Sequence, residues 1–185
     1  MRNLSATASA VNVLAQVDTS PFGIGLPRTP LSTQVFNLAP SQEVTLLYPL
    51  TQALLAGDQR LGVHIKLEHP HDKNLLNSRA SQMIFAVHTT DFGRNFQVQF
   101  PVLNNSAVAR QLTLSVLPND LIASVSPGVR NFAPFEQIQA TLHIEVPNTI
   151  HGTASGIIEK EVTVIGRAPD GSVIDGLTHV VRINN

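Results

Sequence analysis

Val35-Phe36-Asn37-Leu38-Ala39-Pro40-Ser41-Gln42-Glu43-Val44 returns later in the chain as Val129-Arg130-Asn131-Phe132-Ala133-Pro134-Phe135-Glu136-Gln137-Ile138. Each copy runs Asn, apolar residue, Ala, Pro, and leads into an alternating apolar stretch. The physical reading is a turn fixed by proline that launches a strand on the far side of a sandwich. Two such units in 185 residues predict two similar domains of roughly ninety residues each, a size that suits a small β-sandwich. The phrase bears on architecture and names no reaction.

Composition narrows the function classes. With 43% hydrophobic and 14% charged residues, the chain can bury a real core. A formal net charge of −1, with neither sign gathered into a run, gives no footprint for nucleic acid or acidic lipid. Cysteine is absent, which removes disulfides, thiol chemistry and thiolate metal sites and leaves the redox compartment open. No apolar stretch approaches the roughly 20 residues that span a bilayer, so membrane insertion is not expected. Met1 to Ala10 ends in small residues like a signal cleavage site but lacks the apolar segment of a signal peptide. Either the protein stays inside, or a signal has been removed, or export uses another route; an extracellular or cell-surface setting is preferred over a cytoplasmic one.

Alternation with period two dominates, at Val11, Val13, Ala15 and Val17, at Leu61, Val63, Ile65 and Leu67, and at Leu112, Leu114 and Val116. Turn chemistry separates these runs, as at Gly57-Asp58, Asn104-Asn105-Ser106, Ser126-Pro127-Gly128 and Asp170-Gly171. Helical periodicity is confined to Thr51 to Ala56, a one- or two-turn connector before Gly57. In the second half, strands are expected over 96–103, 109–117, 121–126, 137–146, 161–167 and 177–183. The first half departs between Val17 and Val35, a stretch holding Pro21, Gly23, Gly25, Pro27 and Pro30. One strand is expected to be shortened or replaced by loop there. His88-Thr89-Thr90-Asp91-Phe92-Gly93-Arg94-Asn95 reads as a short linker, placing one domain over 1–90 and the other over 94–185, semi-fixed against each other.

Val102-Leu103-Asn104-Asn105-Ser106, the Leu112 to Val116 strand, Val125-Ser126-Pro127, the Ala133-Pro134 corner and Thr141 to Pro147 together resemble bacterial immunoglobulin-like domains of the cell-adhesion-related and α-galactosidase-associated kind. The resemblance covers about 96–183, and 8–87 more weakly through the repeat. It implies an all-β fold of two tandem immunoglobulin-like β-sandwich domains, of a type whose members mostly adhere, space other domains or assemble.

Candidate chemistry is sparse. His69-Pro70-His71-Asp72, with His64 one strand earlier, is the one local cluster of metal-ligand types. It lacks a further ligand, and Pro70 aligns with Pro169 of the other repeat, so it reads as a polar hairpin tip and no metal is assigned. Ser, His and Asp occur without a nucleophile elbow, so no catalytic residue is assigned. Gly23-Ile24-Gly25 lacks the third glycine and the helix of a phosphate cradle. Asn3-Leu4-Ser5 and Asn104-Asn105-Ser106 match the glycosylation sequon, a pattern that recurs by chance. With one Tyr and no Trp, aromatic platforms for carbohydrate are scarce.

The expected working surface is the divergent segment 18–33, because repeats diverge where one copy has been diverted. Phe22, Ile24, Leu26 and Arg28 are the expected binding residues, their apolar side chains held on a proline-stiffened loop as an exposed patch; the competing expectation has them folding back to cap the first core. The sequence thus favours a non-catalytic structural or protein-interaction module acting in assembly or adhesion, with no cofactor, and with a protein partner or self-association rather than nucleic acid. The alternatives are an accessory ligand-binding domain for carbohydrate or metal, and an enzyme on a sandwich scaffold.

Overall fold

In the computed structural model, residues 1–49, 60–72, 79–84, 86–91, 93–148 and 157–184 are described. The fold is all-β. The strands are β1 Ala10–Pro21, β2 Thr29–Leu38, β3 Leu61–Glu68, β4 Arg79–Ile84, β5 Val87–Asp91, β6 Asn95–Leu103, β7 Arg110–Val116, β8 Ile122–Ser126, β9 Val129–Phe132, β10 Gln137–Glu145, β11 Ile158–Arg167 and β12 Val173–Asn184. The expected connector helix falls outside the described residues.

The second half is a β-sandwich of the immunoglobulin kind. A three-stranded sheet, β6-β10-β8, faces a five-stranded sheet, β5-β12-β11-β7-β9. In chain order β6, β7, β8, β10, β11 and β12 take the places of strands B, C, D, E, F and G of that fold. Period-two alternation supplies the inner faces: Val98, Phe100 and Val102 from β6, Leu112 and Leu114 from β7, Leu142 and Ile144 from β10, Val162 and Val164 from β11 and Leu177, Val181 and Ile183 from β12 are all buried. The stretch read as a linker is a strand: β5 runs parallel to β12 from Val87 opposite Val180 to Asp91 opposite Asn184. Its side chains are mostly polar and exposed, so no apolar alternation marks it in the sequence.

The first half forms one four-stranded antiparallel sheet, β2-β1-β3-β4. Its order repeats β9-β7-β11-β12 of the second half, with β1 in the place of β7 and β3 in that of β11. The repeated phrase folds identically in both copies. Pro40 and Pro134 are followed by Ser41 and Phe135 at φ 58° and 55°, and the turn is closed by Gln42 N–H to the Ala39 carbonyl at 3.1 Å and Glu136 N–H to the Ala133 carbonyl at 3.2 Å. The Gln42 and Glu136 side chains then accept the N–H of Ala39 and Ala133, each at 2.8 Å.

The two Asn-x-Ser triplets complete this corner. Asn3 donates to the Ala39 carbonyl at 3.0 Å and Asn104 to the Ala133 carbonyl at 2.8 Å; each donates also to the loop that follows it, at Ala8 and Val108. Ser41 N–H reaches the Ser5 carbonyl, and Phe135 N–H the Ser106 carbonyl, at 2.9 and 3.2 Å. The repeat is therefore longer than the phrase, joining residues far apart in sequence through one asparagine amide.

Asn104 is fully buried and Asn3 only partly, so the same deletion has unequal consequences. Asn104→Ala removes the buried donor of two part-buried hydrogen bonds and is expected to cost about 1–3 kcal/mol, read from the urea midpoint. Asn3→Ala, where water can replace the amide, is expected to cost less; equal losses would contradict the assignment.

Candidate functional site

Residues 22–26 leave the end of β1 and enter the second half rather than their own. Ile24 pairs parallel with Val102 at the free edge of β6, its N–H reaching the Pro101 carbonyl at 3.0 Å and its carbonyl accepting the Leu103 N–H at 2.9 Å. Its side chain, 0% exposed, lies over Gly166 of β11, where a Cβ would come within 2.8 Å of Ile24 Cγ2. Gly25, at φ 71°, lies so close to the Leu103 carbonyl that a Cβ there would collide with it. The glycines of this segment serve close backbone approach.

Phe22, Ile24 and Leu26, expected on an exposed patch, are buried. The physical reason is that the edge of β6 and the notch at Gly166 receive Ile24, and Phe100 receives Phe22. Neither sequence-level expectation for the loop anticipated this: Phe22 and Ile24 neither face solvent nor cap the first core but join the core of the second half. Phe22 meets Phe100 edge-on with ring centroids 6.3 Å apart and lies 6.4 Å from His179. Arg60 lies over its ring, 4.4 Å from the centroid. His179 is buried with neither ring nitrogen hydrogen-bonded, beside Phe96 and beside His88, which stacks on Phe96 at 4.0 Å. Burial above all, then the nearby His88 and Arg60 charges, lowers the His179 pKa to about 4.

Arg28 is the one member of the expected set that remains exposed. It lines a cleft of about 500 Å³ between β1, β3 and β4 on one side and the start of β12 on the other, with Gln16, Asp18, His64, Lys66 and Asp175. Arg28 lies 3.8 Å from the Asp175 carboxylate, which also accepts the Gly25 N–H at 3.1 Å, so the cleft is tied to the inserted segment. Asp18 accepts the Gln16 amide at 3.0 Å, and Lys66 pairs with Glu68.

On the cleft wall, Ser20 Oγ and His64 Nε2 are 2.8 Å apart. Gly62 leaves the room, since a Cβ there would lie 2.7 Å from Ser20 Oγ. Burial first, and then Arg28, lowers the His64 pKa, against the opposing pull of Asp175 and Asp18. A neutral imidazole beside a hydroxyl is half of a nucleophile-and-base arrangement. Among the described residues no hydrogen bond between a carboxylate and the other ring nitrogen is seen, and Ser20 is buried.

His69-Pro70-His71-Asp72 forms a turn closed by Asp72 N–H to the His69 carbonyl at 3.0 Å, matching Gly171 N–H to the Ala168 carbonyl at 2.9 Å. His64 faces Ser20 instead of joining it. Among the described residues, no three His, Cys, Asp or Glu side chains are grouped to hold a metal ion, and no helix is long and apolar enough to cross a membrane.

No protein-family model and no curated protein matches the chain. Among solved structures, SSP-19, described as an MSP-domain protein like family member in Caenorhabditis elegans, aligns with a TM-score of 0.34 at 8% identity, over 54% of this chain and 95% of its own.

Two outcomes follow from this geometry. Gly166→Ala is expected to cost about 1–3 kcal/mol by overpacking against Ile24, and combining it with Ile24→Ala should recover part of that loss, because the added methyl then enters the vacated space; strictly additive losses in urea titrations would contradict the contact. His179, ordinarily titrating near 6.5 when unfolded, takes up its proton in the unfolded chain first. Stability should therefore fall as pH drops from about 6.5 toward 4, by about 3 kcal/mol at most from this group, with His64 adding in the same direction. His179→Leu should flatten most of the slope in urea midpoints compared at pH 7 and pH 4.5.

Proposed function

We propose that the chain is a non-catalytic structural or protein-interaction module acting in assembly or adhesion, built of two tandem immunoglobulin-like units over residues 1–90 and 94–185. In this reading β5 lies before the second boundary and serves the second unit. The observation that carries the reading is the seating of residues 22–26 on β6, which gives the divergent segment an architectural task. An insertion of this kind holds two units in one orientation, a property suited to a spacer or assembly part.

The surface supports the same reading. Leu4 and Leu47, large apolar side chains of the first half, are 78% and 89% exposed. A protein partner, or a second copy, is the occupant for which such groups are suited. The Arg28 cleft supports a second reading, an accessory ligand-binding role. Its side chains of both signs and its amide suit a polar ligand such as a carbohydrate better than a metal, and Arg28→Ala would abolish such binding without affecting folding.

A photo-crosslinking residue placed at position 47 in the source cell is expected to give a discrete polypeptide adduct, while one at the exposed turn residue Asp170 gives none. No adduct from positions 47 and 4, together with a hydrolytic turnover lost in Ser20→Ala, would contradict the proposal.

A further inference from the structure

His179 is a buried polar group that packing alone does not call for. It is 3% exposed, and neither ring nitrogen bonds a described residue. Unmade hydrogen bonds in a core cost stability, and the same face of β12 otherwise buries Leu177 and Val181. The ring lies where the two halves meet. Phe22, from the segment that the first half inserts, packs against it at 6.4 Å between ring centroids. Phe96 of β6 and His88 of β5 lie at 6.2 and 6.5 Å, and Val162 of β11 is its cross-strand partner.

The charges around the ring are of one sign. His88 and Arg60, which stands just ahead of β3, both oppose a proton there. Phe96, Val162 and residues 22–26 bring no charge, and β4, which packs on β12, is uncharged from Ala80 to Ile84. On β12 itself Asp175 is occupied by the Gly25 and Gly176 N–H groups, and Arg182 by Glu159. Arg60 already lies over the Phe22 ring at 4.4 Å. A protonated His179 would therefore set a second cation against the same ring, buried and without a described anion beside it.

The element most easily displaced is the one to which Phe22 belongs. Residues 22–26 are held on β6 by the two backbone bonds that Ile24 makes with Pro101 and Leu103, and on β12 by Gly25 N–H to Asp175. β11 and β12, by contrast, pair along their length from Ile158 opposite Ile183 to Arg167 opposite Val173. A short segment held this way opens at lower free energy than a full ladder.

We propose that His179 is an acid-operated latch at the junction of the halves: a proton taken up by its ring expels Phe22 and lifts residues 22–26 off β6. Opening bares Phe22, Ile24 and the edge of β6, an apolar strand edge of the kind that pairs with other chains. Such a latch does not depend on the module reading.

Amide exchange followed by NMR on the full chain tests this, with the Ile24 and Leu103 amides as reporters and rates corrected for the intrinsic effect of pH. His179 titrates near 6.5 when open and at about 4 when closed. The closed form thus keeps its full advantage above pH 6.5 and loses it as pH falls toward 4. Protection of both amides should drop about twentyfold from pH 7 to pH 5, and most of that drop should vanish in His179→Leu. The proposal is overturned if both amides keep their protection over that range while those of β11 lose theirs, since His179 would then take up its proton only on global unfolding. It is overturned also if the reporters exchange no faster than β11 at every pH. A His179 ring titrating near 6.5 in the intact chain would defeat it too, a readout that needs no variant to fold.

Discussion

The parallel pairing of Ile24 with Val102, with its side chain in the notch above Gly166, is the contact on which the rest of the structure depends. Burying such a side chain is worth about 1.5–3 kcal/mol, and Phe22 adds its own apolar area and an edge-on contact with Phe100. The same move covers the otherwise open edge of β6, where unpaired N–H and C=O groups would face solvent. It also sets the Arg28 cleft, because Gly25 N–H and Arg28 converge on Asp175 of β12.

How legible this was in the sequence depends on whether the signal is local. The Ala-Pro corner is a four-residue turn whose proline fixes one dihedral, so Pro40 and Pro134 could be matched by eye, and both corners fold alike. The other half of the corner, Asn3-Leu4-Ser5 and Asn104-Asn105-Ser106, looked like a chance sequon because the carbonyls it bonds lie far along the chain. β5 escaped notice because an edge strand with one apolar residue in five, Val87-His88-Thr89-Thr90-Asp91, has no alternation to detect.

The divergent segment was visible as a departure and its destination was not. Phe22, Ile24 and Leu26 read as apolar loop residues, and a sequence does not say which core receives them. One residue carried a usable sign: Gly166 ends the Val162, Val164 alternation of β11, and a buried glycine within a strand marks close approach by something else. The cleft residues illustrate the same limit. Asp18, Arg28, His64 and Asp175 are scattered through the chain and meet only because β1, β3 and β12 are brought together, and the Ser20 to His64 bond depends on the space left by Gly62.

If residues 22–26 join the halves as the geometry indicates, the halves should not melt independently. Differential scanning calorimetry of the intact chain measures this most directly, through the ratio of calorimetric to van't Hoff enthalpy. The account predicts a single transition with a ratio near one. Two resolved transitions, or a ratio near two, would mean that the Ile24 contact does not couple the halves and would contradict it.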